Sequence, residues 1–192
     1  MAALRQLRFL LEISRSQGIL RRYFVVNGFD GALTLLGITM GFRMGAPVEP
    51  GVVLHACAGA AVALFMSGAS SAYMSEAAER RLALAQLEAA MVTDLQDSAH
   101  GDAARLVPLL VAAVNGLAPL LLALVVMAPL ALAQAGVVLP VAPLTAAIVM
   151  AFVALFLLGI FLGRVSGTFW LWSGLRTLLI GAVTALVILL LS

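Results

Sequence analysis

Five long apolar runs constrain this chain more than anything else in it. They lie at about residues 23–44, 52–74, 106–132, 144–163 and 174–191, and about 20 helical residues cover the ~30 Å hydrocarbon core of a bilayer. A segment surrounded by lipid must satisfy its backbone N–H and C=O groups internally, so each run is expected as a helix. Of the 192 residues, 64% are hydrophobic and 10% charged, against about a quarter charged in soluble domains. That composition excludes a soluble globular fold. The expected architecture is an all-α integral membrane protein, with a single membrane domain over residues 1–192. Its five transmembrane helices are accompanied by a helical acidic loop at residues 75–105. A short amphipathic helix within residues 4–20 comes first, its leucines interleaved with Arg5, Arg8 and Arg15.

The arginines orient the spans. Arg5, Arg8, Arg15, Arg21 and Arg22 precede the first span, Arg80, Arg81 and Arg105 follow the second, and Arg164 and Arg176 flank the connection after the fourth. Arg43 alone falls on the opposite side. The positive-inside rule therefore puts the N-terminus and the acidic loop in the cytoplasm and the C-terminus outside. The first residues lack an uninterrupted apolar core and a small-residue cleavage site, so no signal peptide is expected. An odd number of spans does not divide into two equal halves, so a symmetric pathway would need a homodimer. Gly37 and Gly41 in the first span, four residues apart, would let two backbones approach closely there. Pro119, in the middle of the third span, should kink it. Cys57 reads as a small apolar residue and His55 as a solvated boundary residue.

Asp30 is the acidic residue within the spans, and a carboxylate at membrane depth costs ~2.5–3.5 kcal/mol on insertion scales. A chain that keeps such a group commonly uses it as an ion ligand or proton carrier. Asn27 and Thr34, three residues before and four after, share its helical face. The alternative is a protonated Asp30 hydrogen-bonded between helices. Asn115 in the third span offers another neutral oxygen to a pathway. Met66 could present its sulfur to the same path or serve as an ordinary core filler. In the acidic loop, Glu76 and Glu79 stand one turn apart at the membrane edge. They are read either as water-exposed metal collectors or as part of a solvated linker.

Four segments in order resemble the vacuolar iron transporter family, the vacuolar iron and manganese importers and their prokaryotic relatives. NGFDGALTLLGITMGF looks like the family's first helix and AYMSEAAERR like the end of its second. Asn115-Gly-Leu-Ala-Pro119 is similar to its Gly-x-x-Pro third helix, and WSGLRTLLIGAVTALV to its last. The resemblance covers most of the length. It implies a five-helix homodimer that moves Fe²⁺, with Mn²⁺ as a second candidate, out of the cytosol in exchange for protons. Asp30 then matches the translocation-pathway aspartate of the first helix. Two positions depart from the pattern: Ala72 stands where many members have Glu, and Gly68 where many have Met. The host membrane is read as a prokaryotic cytoplasmic membrane.

Two rival readings belong to other classes: a metal-sensing or scaffold membrane protein without transport, and an organic-cation carrier with Asp30 as counter-charge. An enzyme is not expected, because no nucleophile–base pair or His cluster falls at membrane depth. The metal is substrate rather than resident cofactor, and no permanently bound cofactor is expected. The expected partners are a second copy of the chain, divalent metal ions, protons and the lipid bilayer, and no nucleic acid.

Overall fold

A computed structural model of the chain describes residues 17–191. It contains α1 (Gln17–Met44), α2 (Pro50–Met91), α3 (Ala99–Gln134), α4 (Pro143–Ser166) and α5 (Trp170–Leu191). All five helices are long and apolar enough to cross a membrane. Each of the five apolar runs sits inside one of them. The amphipathic helix expected within residues 4–20 falls largely outside the described residues. Its last residues do not form a separate element: α1 begins at Gln17 and continues unbroken through Arg21 and Arg22. No proline interrupts that stretch, and Ile19 and Leu20 pack against Ala72, Ala103, Val107 and Val111.

Most of residues 75–105 is helical. α2 has 42 residues, which at 1.5 Å per residue is ~63 Å, about twice the thickness of a hydrocarbon core. It reaches Met91 before the chain leaves helix, and α3 resumes at Ala99. The turn between them therefore spans residues 92–98. Val92 takes up a left-handed φ of 52°, and the Thr93 N–H donates to the Glu88 carbonyl at 3.3 Å, closing the helix end. The Glu88 side chain holds the same turn, its Oε1 accepting from the Leu95 N–H at 3.1 Å and from Gln96 Nε2 at 3.3 Å. Ser98 caps α3, its Oγ accepting from the His100 N–H at 3.2 Å. Gly101 lies within α3, where a Cβ would run into the Gln96 carbonyl.

The helices group into two compact units. One comprises residues 17–24 and Phe65–Leu117. Its core is Ala72, Ala103, Val107 and Val111, with Ile19, Leu20 and Tyr23 packed against them. α2 and α3 come together there at small residues. A Cβ on Gly116 would stand 2.9 Å from the Phe65 carbonyl oxygen, and Asn115 Nδ2 donates to the Gly68 carbonyl at 2.7 Å.

The other unit comprises Val25–Leu64 and residues 118–191. Leu35, Leu36, Val53, Cys57, Val126, Leu130 and Leu155 are fully buried in its core, so Cys57 is the apolar residue expected of it. α3 runs on through Pro119, which is buried against Gly31 of α1. A Cβ at Gly31 would lie 2.7 Å from the Pro119 Cα and from its carbonyl oxygen. α4 and α5 form an antiparallel pair on the same principle. A Cβ at Gly159 would sit 2.8 Å from the Gly174 Cα, and the Thr177 hydroxyl donates across to the Leu155 carbonyl at 2.8 Å. Lipid offers no hydrophobic drive for helix association, so close backbone approach and interhelical hydrogen bonds supply it. Gly167, with φ 69°, ends α4.

Val92 is a β-branched residue in a conformation that costs L-residues roughly 1–2 kcal/mol. Val92→Gly should therefore raise stability by about 0.5–1 kcal/mol after the extra chain entropy of glycine. An upward shift in the thermal unfolding midpoint of the detergent-solubilised protein is the expected result.

Candidate functional site

Asp30 is exposed, and its position on α1 makes that exposure informative. Residues Val25, Gly28, Gly31, Ala32, Leu35, Leu36, Thr39 and Met40 of this helix are buried, while Val26, Asp30 and Gly41 are exposed and Thr34 and Gly37 are half-buried. At 3.6 residues per turn, Val26, Asp30, Thr34, Gly37 and Gly41 form one stripe along α1. It is the stripe that the rest of this unit leaves uncovered. Gly37 has the Ile188 side chain 3.9 Å from where a Cβ would be, and Gly41 has no neighbour within 4 Å. Asn27 borders the stripe and is half-buried. The expectation that Asn27, Asp30 and Thr34 share a face therefore agrees with the structure.

Why Asp30 is held there follows from the next residue. Gly31 points at the Pro119 backbone with no room for a side chain, which fixes the rotation of α1 about its axis. Asp30, about 100° round the helix from Gly31, is thereby turned away from the packed side.

The remaining candidates lie in the other unit, each in a different setting. Asn115 is buried, at 4% exposure, and its amide nitrogen is committed to the Gly68 carbonyl. A Cβ at Gly68 would meet the Asn115 carbonyl oxygen at 3.0 Å. The departure at Gly68 is thus matched to the helix it packs on, and a Met there would need α2 and α3 to separate. Met66 is 57% exposed and Met74 71%. Neither fills the core, so the core-filler reading of Met66 does not hold within one chain.

Glu76 and Glu79 are not a water-exposed pair. Glu76 is buried, with a side chain 5% exposed, and its Oε1 takes a hydrogen bond from Arg80 Nε at 2.7 Å. Glu79 is exposed. Glu76 falls one turn beyond buried Ala72, on the face that packs inside this unit, and Glu79 falls off that face. Arg80, four residues on, is the partner that sequence reasoning passed over. The spacing, glutamate N-terminal to a cation at i,i+4, was the signal for it. His55 is exposed, its Nδ1 2.7 Å from the Gly51 carbonyl of its own helix. Among the described residues, no three His, Cys, Asp or Glu side chains are grouped so that they could hold a metal ion.

The two glutamates should therefore respond differently to neutralisation. Glu76→Gln leaves Arg80 facing an amide inside the fold and should cost about 1–3 kcal/mol. Glu79→Gln, at the surface, should stay within about 0.5 kcal/mol of the parent. Thermal unfolding of the two variants side by side checks this.

Comparison of the chain with protein-family models, with curated proteins and with solved structures returns no match.

Proposed function

We propose that this chain is a divalent-metal transporter that moves Fe²⁺, and Mn²⁺ as a second substrate, out of the cytosol in exchange for protons, working as a homodimer. One observation carries the reading: Asp30 sits on the uncovered stripe of α1, a helix apolar enough to cross a membrane. A carboxylate facing hydrocarbon is costly, so that stripe needs a polar or protein neighbour. A second copy of α1, approaching at Gly37 and Gly41, supplies one and sets two Asp30 carboxylates close together.

Two carboxylates offset the charge of a divalent ion, which must exchange part of its hydration shell for fixed oxygens on entering the membrane. Asn27 and Thr34 flank Asp30 on the same helix and can add neutral oxygens. Once the metal leaves, protons delivered to the same two carboxylates offset their charge in its place. The empty carrier then returns without uncompensated charge, which makes proton antiport the natural coupling. In this reading the arginine-rich end lies in the cytoplasm, the C-terminus is outside, and the host is a prokaryotic cytoplasmic membrane. Glu79 is the acidic group free to attract a hydrated cation at the mouth, and Glu76 can join it only by giving up Arg80.

Metal flux into proteoliposomes, with and without a pH gradient, tests the proposal. Asp30→Asn keeps the shape and removes the charge, and should abolish Fe²⁺ flux while leaving insertion and assembly intact. Flux at the parent rate would refute the assignment of Asp30. A protein that binds iron but moves none would support the sensor or scaffold reading, and one that ignores iron the organic-cation reading. Gly41→Leu places bulk on the open stripe and should convert the detergent-solubilised dimer to monomer by light scattering. A dimer unaffected by that substitution would place the seam elsewhere.

A further inference from the structure

Along the later turns of α2 and the first turns of α3, and within a single unit, lies a cavity of about 320 Å³, at the lower end of the ~300–1,000 Å³ typical of small-molecule sites. Tyr73, Arg81 and Glu88 line it from α2, Arg105 and Pro108 from α3, and Gln96 from the turn between them. On α2 these residues follow at i, i+8 and i+15, so they stand in one row along the helix. Tyr73 and Pro108 mark the apolar end of the row, and Glu88 and Gln96 the end in the polar turn.

The charges in this cavity do not balance internally. Arg80 is paired with Glu76 on another face of α2. Arg81 and Arg105 make no ion pair among the described residues. The carboxylate in the cavity, Glu88, accepts at Oε1 from the Leu95 N–H and from Gln96 Nε2, so it also serves the turn. Two exposed arginines therefore line one small cavity together with Tyr73, against the single carboxylate of Glu88. Guanidinium groups are planar forks that match phosphate oxygens in pairs.

We propose that this cavity binds a phosphate-bearing anion, with Arg81 and Arg105 gripping the phosphate oxygens and the Tyr73 hydroxyl donating from the apolar side. The proposal does not depend on Asp30 or on transport. Two sources share this chemistry: the headgroup of an anionic phospholipid, whose chains would leave past Tyr73 and Pro108, and free phosphate from solution.

Calorimetric titration of the full-length, detergent-solubilised protein tests it. The probes are short-chain phosphatidylglycerol, inorganic phosphate, and phosphatidylcholine as the zwitterionic control. The parent protein should bind phosphatidylglycerol or inorganic phosphate at least tenfold more tightly than the Arg81→Gln/Arg105→Gln variant does. Arg164→Gln, a surface arginine outside the cavity, should match the parent. Saturation by phosphatidylglycerol without competition from millimolar phosphate assigns a lipid, and competitive displacement by phosphate assigns a soluble anion. Arg81→Lys/Arg105→Lys keeps the charge and loses the fork, so it should bind several-fold more weakly than the parent. That pair carries the test if the glutamine variant does not elute as a folded species. A parent that binds neither anion, or a folded variant of either pair that binds within twofold of the parent, overturns the proposal.

Discussion

The structure depends on helices that touch backbone to backbone. Gly31 meets the Pro119 backbone, Gly159 meets Gly174, and Gly116 meets the Phe65 carbonyl, each so closely that a Cβ would collide. Packing of this kind is what remains for association when the solvent around a helix is as apolar as its side chains. It also explains why two polar residues, Asn115 and Thr177, are buried in largely apolar helices. Each donates to a carbonyl of the facing helix, and with a weak hydrophobic drive such bonds give a pair of helices its register.

Polar groups divide cleanly between the two units. The unit built from residues 17–24 and Phe65–Leu117 contains Arg21, Arg22, Glu76, Glu79, Arg80, Arg81, Glu88, Asp94, Asp97, Asp102 and Arg105. Its helices are long enough to carry those charges beyond any hydrocarbon core, and its carboxylates have ordinary uses: Glu76 holds Arg80, and Glu88 holds the turn. The other unit has few charges, and all but Asp30 lie within about two turns of a helix end or in connections. Asp30 is therefore conspicuous by its surroundings rather than by its neighbours. It sits on the stripe of its helix that the unit covers least.

That stripe and the arginine-lined cavity illustrate two kinds of incompleteness. On α1, a charge faces outward from an apolar helix, and a second copy of the same helix would resolve it with matching small residues. Between α2 and α3, two arginines face one carboxylate, Glu88, and an external anion would balance the excess. The first rests on the cost of a carboxylate in an apolar helix, the second on the match between paired guanidinium groups and phosphate oxygens.

The apolar runs determined the element count, the helical class and the rough place of every helix, because backbone in lipid has little alternative to helix. The sequence also determined the shared face of Asn27, Asp30 and Thr34, a matter of helical spacing alone. Tertiary structure decided the rest. The helices outrun the apolar runs, since charged residues such as Glu79 and Arg81 are good helix formers and only Val92 and Ser98 bound the turn. Glu76 and Glu79 look alike in sequence, but only packing shows that one is enclosed with Arg80 and the other is not. The uncovered stripe on α1 was likewise beyond sequence reading. It exists because Gly31 must face Pro119, 88 positions later in the chain, and a contact at that separation leaves no periodic trace in either segment.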